Sequence, residues 1–237
     1  MTNPTDHKQL LESEFLRGLN PVQRQAVLHD GGPLLILAGA GSGKTRVITH
    51  RIAHLIRVRD VPARRILAVT FTNKAAAEMK ERTLQIVGPY GSDALIRTFH
   101  SLGLQILREN AAKIGLKSSF TIYDTAAQKA LAKKILKDQG IEPALLPPDA
   151  ALNATERARE RLISPEAYSA DARKDPYHSA IADFYREYHR RLREQQALDF
   201  SDLLYETVKL LQNDEQLLEM SRRRWQHLLV DEYQDTN

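Results

Sequence analysis

Leu34-Leu35-Ile36-Leu37 runs straight into Ala38-Gly39-Ala40-Gly41-Ser42-Gly43-Lys44-Thr45, and the reading of this stretch decides the fold. An apolar run that ends in a glycine-rich turn and a Lys-Thr pair predicts a buried strand, Leu34–Ala38, feeding a phosphate-binding loop. Gly39, Gly41 and Gly43 permit backbone angles that side chains forbid, so several N–H groups can converge on one anion. Lys44 and Thr45 open a helix whose amino-terminal dipole end, about half an elementary charge, faces the same phosphates. In a Walker loop the Lys ammonium reaches the β and γ phosphates and the Thr hydroxyl binds Mg2+. The strict pattern begins with Gly where this chain has Ala38, a residue small enough for the same turn. A ligand-free Gly/Ala turn gives no reason for Gly-Lys-Thr at its end.

Outward from this loop the chain alternates. A helix is predicted from Lys44 to Arg57, with Val47, Ile48, Ile52, Leu55 and Ile56 on one face. Strand patterns follow at Ile66–Thr70 and Ala94–Thr98. Each leads into a helix, one beginning near Asn73 as its cap and one running from His100 to Ala112. Strand–helix alternation implies a parallel sheet flanked by helices, with ligands at the carboxyl ends of the strands. From Gly115 to Ala197 the strand patterns disappear, and helices are predicted at Thr125–Gln139, at Asp149–Leu162 and from Asp175-Pro176 onward. We therefore expect an α/β lobe made of residues 1–114 and 198–237, interrupted by an all-helical insertion at 115–197. The insertion's Arg157, Arg159, Arg161, Arg186, Arg190, Arg191 and Arg193 fit either a nucleic-acid surface or a solvated helix face.

The last apolar strand, Leu228-Leu229-Val230, is followed at once by Asp231 and Glu232. An acidic pair there complements the Walker Lys: Asp231 for the Mg2+ shell, Glu232 to orient or deprotonate an attacking water. Phe71 ends a strand already filled with aliphatic residues, at the sheet edge where ligands collect. An exposed ring there suggests a stacking platform, worth about 1–3 kcal/mol per base. Thr70, Thr72, Asn73, Thr98 and His100 surround it in sequence with neutral hydrogen-bonding groups.

Composition sets the outer limits. With 237 residues, 42% hydrophobic and 27% charged, the chain can bury a substantial core and is not wholly disordered. A net charge of +4 is compatible with a polyanionic partner. The absence of cysteine excludes disulfides, thiol catalysis and Cys-ligated metals. No apolar run approaches the roughly 18 residues of a membrane span, and the polar first residues carry no leader pattern. A cytoplasmic protein without membrane association is expected.

Taken in order, these blocks resemble the N-terminal part of a superfamily 1 DNA helicase of the UvrD/PcrA/Rep group. Leu19-Asn20-Pro21-Val22-Gln23 is similar to that family's adenine-reading segment and Ala38–Thr45 to its Walker loop. Thr70–Ala76 and Thr98-Phe99-His100-Ser101 resemble its single-strand contact segments, Leu198–Leu204 its re-entry from the helical insertion, and Val230–Asn237 its acidic motif. The resemblance implies a RecA-like lobe that uses ATP and Mg2+. It makes Lys44, Asp231 and Glu232 catalytic, Thr45 and Asp231 metal-binding, and Gln23 and Arg46 readers of the base. It implies contact with single-stranded DNA and single-strand/duplex junctions through Thr70, Phe71, Thr72, Asn73, Thr98, Phe99 and His100, with DNA repair or replication proteins as partners. It also implies 3′ to 5′ translocation.

Several ordinary readings stand beside it. Asn20-Pro21-Val22-Gln23 is a good helix start whose capping box competes for the Gln23 amide. Asp199 and Asp202 read as a cap and turn. The family carries a second RecA-like lobe that is absent from this chain, and its cross-cleft arginine is typically worth 10³ to 10⁵ in turnover. Hydrolysis by residues 1–237 alone is therefore expected to be slow or undetectable. A helicase–nuclease subunit would share every block. A P-loop kinase has no use for the Phe71 and His100 segments, and a non-enzymatic binding module leaves the intact Lys44, Thr45, Asp231 and Glu232 unexplained.

Overall fold

A computed structural model of the protein describes residues 15–39, 41–171 and 175–236. Along the chain run α1 (Pro21–Leu28), α2 (Lys44–Arg57), β1 (Ile66–Thr70), α3 (Asn73–Val87), β2 (Leu95–Thr98), α4 (Phe99–Glu109), β3 (Thr121–Tyr123) and α5 (Thr125–Asp138). They are followed by α6 (Pro148–Glu160), α7 (Pro165–Asp171), α8 (Pro176–Glu194), β4 (Ala197–Asp199), α9 (Phe200–Asn213), α10 (Glu215–Arg224) and β5 (His227–Val230). Two compact units result: the described residues up to Phe99 together with Gln216–Thr236, and His100–Glu215.

The first unit is built on β1. Its Ile-Leu-Ala-Val-Thr sequence is buried at every position, as a central parallel strand requires, so it shows no alternation. Strand order is β2-β1-β5, all parallel, with Thr70 opposite Thr98 and Val69 opposite Val230. The apolar stripe of α2 packs Ile52 and Leu55 against Ile66 and Ala68, and α3 adds Met79 to the same core. α3 is capped by Thr72, whose side chain accepts from the Ala75 N–H at 3.1 Å. Asn73, expected as the cap, is instead the first helical residue, because Thr72 holds the extended angles a cap needs.

The expected first strand is not formed. Residues 33–39 have no ladder, and Leu35 and Leu37 are 63% and 87% exposed. The run lies apart from the sheet edge. Among the described residues β5 is the edge of the sheet, and a cavity of about 280 Å³ lies between Leu34 and Ile36 on one side and Leu228, Leu229 and Val230 on the other. An apolar run becomes a strand only when its N–H and C=O groups find a partner. For the same reason β5 is not the fully buried strand its sequence suggests, and Leu228 lies open to solvent.

The second unit packs α5, α6 and α8 around Leu131, Ile135, Ala151, Ile181, Phe184, Tyr188 and Leu192. It is not all-helical: β3 and β4 pair in parallel, Thr121 opposite Ala197 and Tyr123 opposite Asp199. Strands of three residues are too short for periodicity to reveal. Asp199 caps α9 in a reciprocal box with Asp202, as the cap-and-turn reading expects. Both carboxylates also bind Arg159, at 2.9 Å and 2.6 Å, and the Tyr188 hydroxyl donates to Asp199 at 3.0 Å. Arg159 therefore belongs neither to a nucleic-acid surface nor to a solvated face. Burial opposes its charge, but Asp202 and Asp199 more than offset that and hold the guanidinium protonated. Arg186, Arg190, Arg191 and Arg193 pair with Asp183, Glu187 and Glu194, Asp138 and Glu206, which makes α8 an ion-paired helix face.

Candidate functional site

The glycine-rich loop forms a cradle at the start of α2. Gly41 and Gly43 have φ of 73° and 86°, the left-handed region that costs other residues about 1–2 kcal/mol. A Cβ on Gly43 would lie 2.9 Å from Gln23 Nε2, the end of a side chain that can swing aside, so it is the backbone angle that reserves that position for glycine. Lys44 extends over the loop and donates to the carbonyls of Ala38 and Gly39 at 3.2 and 3.3 Å. Ala40, named with the loop from sequence, lies outside the described residues.

β5 delivers the acidic pair to the same place. The Thr45 hydroxyl donates to Asp231 Oδ2 at 3.1 Å across 186 residues of sequence. Asp231 is buried, and its N–H extends the sheet ladder to Val69 O at 2.9 Å. Burial pushes its carboxyl above the ordinary range, the Thr45 hydrogen bond opposes this, and the charge of Glu232 adds to the rise. Glu232 then turns sharply, with φ 52° and ψ 49°, and accepts from the Gln234 amide. A cavity of about 720 Å³ is lined by Ala38, Gly41, Ser42, Gly43, Lys44, Thr45, Arg46 and Glu232. Ile36, Leu37, Arg82 and Gln234 complete the lining, and sequence reasoning had not assigned any of them. Gln234 sits within the acidic block and was open to assignment. Arg82, midway along α3 and paired with Glu78, carries no signal that marks it.

Gln23 touches the loop from α1. Its Nε2 donates to Ser42 O at 2.9 Å, and its Oε1 accepts from Asn20 N at 3.0 Å while Asn20 Oδ1 accepts from Gln23 N at 2.8 Å. The capping box and a loop contact thus occupy both ends of the amide. Arg46 is exposed at the cavity wall.

The residues expected to meet DNA are distributed over both units. Phe71 is 54% exposed just past β1, beside the buried, register-paired Thr70 and Thr98. Thr70 Oγ1 has no hydrogen-bond partner among the described residues. The Thr72 oxygen is used as the α3 cap, and Asn73 is exposed. Phe99 begins α4, half-buried. His100 belongs to the second unit, where its ring meets Phe200 edge-on at 6.1 Å and burial lowers its pKa. Phe200, itself 54% exposed, was named only as part of a sequence block.

A glycine-rich loop with a Lys, a Thr-bonded Asp and a flanking Glu thus meet in a mixed α/β unit built on a parallel sheet, the fold class of a helicase N-terminal domain. The chain matches the family model of the UvrD/REP helicase N-terminal domain over residues 19–237, and it belongs to that family. It is 46% identical over 227 residues to the ATP-dependent DNA helicase PcrA of Bacillus subtilis (strain 168), covering 96% of this chain and 31% of that protein. Against the ATP-dependent DNA helicase UvrD1 of Mycobacterium bovis it is 49% identical, covering 94% and 29%. Against PcrA of Staphylococcus aureus (strain Mu50) it is 44% identical, covering 94% and 30%. The chain thus spans under a third of the length of these relatives.

Proposed function

We propose that this chain is the ATP- and DNA-binding part of an ATP-dependent DNA helicase that translocates 3′ to 5′ on single-stranded DNA and opens duplex at junctions. The observation that carries the reading is the 3.1 Å hydrogen bond from the Walker-loop Thr45 to Asp231, beside Lys44 and Glu232 at one cavity. Lys44 has only loop carbonyls as partners among the described residues, a bond that a triphosphate would replace. A hydroxyl and a buried carboxylate are hard oxygen donors and fit Mg2+, which is held by one or two protein oxygens and otherwise keeps its waters. Thr45 and Asp231 would hold the ion, which would supply charge neutralisation for a bound triphosphate. Glu232, outside that pair, is free to orient or deprotonate the attacking water. Gln23 gives up its Ser42 bond to read adenine, with Arg46 against the base. Phe71 stacks bases without sequence preference, and Thr70, Thr72, Asn73, Thr98, Phe99 and His100 contact sugar and phosphate. The setting we assign is the cytoplasm, alongside repair or replication proteins.

The test uses the full-length protein. We expect single-stranded DNA to stimulate ATP hydrolysis, Lys44→Ala to abolish it, and Glu232→Gln to bind ATP while turning over at least about 100-fold more slowly, as loss of a general base requires. Wild-type turnover in Glu232→Gln would remove the base assignment. A wild-type ATPase indifferent to DNA would return the chain to the kinase-like alternatives.

A further inference from the structure

The nucleotide cavity and the Phe71 loop both lie at the carboxyl ends of the strands, whereas the opposite end of the same sheet carries a cluster of arginines that neither uses. Arg64 and Arg65 immediately precede β1, and Arg222, Arg223, Arg224, Trp225 and Gln226 immediately precede β5. The two lead-in segments are joined: Gln226 N donates to Arg65 O at 2.9 Å, and Arg65 Nη1 donates to Gln226 Oε1 at 3.2 Å. Arg224 lies over the Trp225 ring at 4.9 Å, and Arg57, at the end of α2, lies over the exposed Tyr90 at 4.5 Å. Arg59 adds a further guanidinium from the turn after α2.

The charge here is in excess. Asp30 pairs with Arg59 at 2.9 Å and Glu219 with Arg222 at 2.6 Å. The side chains of Arg64 and Arg223, both exposed, make no hydrogen bond or ion pair among the described residues. The field is felt inside: burial first, then the charges of Arg51 and Arg59, lower the pKa of His227 and bring that of His54 down to about 4.

The chemistry of the cluster narrows the partner. Residues 51–65 and 215–227 contain no lysine; every cation in them, histidine aside, is an arginine. A planar guanidinium binds phosphate or carboxylate through two parallel hydrogen bonds. A C-terminal helix dipole accounts for the basic residues in the last turn of α10, whereas Arg64 and Arg65 close only a single 3-10 turn, Ala63–Arg65, too short to sum to a comparable dipole. Guanidinium groups set out along two adjacent lead-in segments, with the half-buried Trp225 and the exposed Tyr90 beside them, fit a run of evenly spaced phosphates better than a single anion.

We propose that the amino-terminal end of this sheet is a second nucleic-acid contact, gripping the phosphodiester backbone without reading bases. It lies across the lobe from Phe71 by the length of β1, about 17 Å for a strand of five residues. Arg64, Arg65, Arg223 and Arg224 hold phosphates, and Trp225 and Tyr90 fix two of the neighbouring guanidinium groups. This rests on the DNA-binding reading above, and it extends the path of a bound strand or of a flanking duplex beyond the loops that reading invokes.

The experiment is a salt titration of DNA affinity, using a fluorescent oligothymidine and a hairpin duplex, on the wild-type chain, the double variant Arg64→Glu/Arg223→Glu and, separately, Phe71→Ala. Both arginines are exposed, and an unchanged nucleotide affinity verifies the fold of the double variant. Losing two phosphate contacts should weaken binding on the order of tenfold at low salt and make the log–log slope shallower by about 1.4 for the single strand, or about 1.8 for the duplex. Phe71→Ala should weaken binding with its slope intact. If the double variant keeps wild-type affinity and slope while Phe71→Ala weakens binding, the second contact is overturned and the helicase reading stands. If the wild-type chain binds neither DNA, both fall. If the double variant loses an oligoglutamate peptide but not DNA, the surface belongs to an acidic protein partner and the proposal is wrong.

Discussion

Glu232 holds a left-handed backbone, φ 52°, immediately after a strand. A non-glycine residue adopts that conformation at a cost of about 1–2 kcal/mol, and such strain persists where surrounding structure over-determines it. The turn is what lets adjacent Asp231 and Glu232 serve different places, one bonded to Thr45 and the other at the cavity wall. Glu232→Gly should therefore leave the melting temperature unchanged or slightly higher while ATP turnover in the full-length protein disappears. A fall of several degrees would mean the carboxylate is structural. Gly43 presents the converse case. Gly43→Ala meets a φ of 86°, and should weaken nucleotide binding at least tenfold in a calorimetric titration.

His54 carries a pH dependence of known sign. It is buried, its Nδ1 has no hydrogen-bond partner among the described residues, and its pKa is lowered to about 4. Because the folded value lies below the ordinary 6.5, the unfolded chain binds the extra proton first as pH falls. His54 thus imposes no penalty above pH 6.5 and an increasing one between 6.5 and about 4, up to an order-of-magnitude ceiling near 3 kcal/mol. Melting temperatures from pH 7 to pH 4.5 should fall less in His54→Gln than in the wild type. Parallel curves would rule out this residue as the source.

Among the elements, legibility followed from where the physics was local. The Ile66–Thr70 strand and the Lys44–Arg57 helix were readable because one is an unbroken apolar run and the other a stripe of correct period. Lys44, Thr45 and Asp231 stood out in the sequence because Gly-Lys-Thr and a strand-terminal acid have few other uses, and the fold brings Thr45 and Asp231 into hydrogen-bond contact. Leu34–Leu37 misled for a non-local reason: its hydrophobicity is strand-like, but pairing needs an edge within reach, and a cavity stands there instead. The β3–β4 pair and the burial of Arg159 were likewise invisible, since each depends on residues at least 40 apart in sequence. That buried cluster makes its own prediction. Removing the guanidinium leaves Asp199 and Asp202 buried and uncompensated, so Arg159→Ala should cost about 3–5 kcal/mol in urea unfolding. A loss below about 1 kcal/mol would show that the carboxylates simply take up protons or water.

At the scale of the whole molecule, the fold brings the loop after residue 37 and the turn after residue 230 to one cavity by placing β5 beside β1. Everything proposed about turnover and stepping depends on that cavity taking a metal-bound triphosphate. The most direct measurement is calorimetric titration of the chain with a non-hydrolysable ATP analogue, with and without Mg2+, for the wild type, Lys44→Ala and Asp231→Asn. The wild type should bind in a Mg2+-dependent manner, Lys44→Ala at least tenfold more weakly, and Asp231→Asn without the Mg2+ dependence. Equal affinity in all three proteins, indifferent to Mg2+, would contradict a metal-bound triphosphate in that cavity.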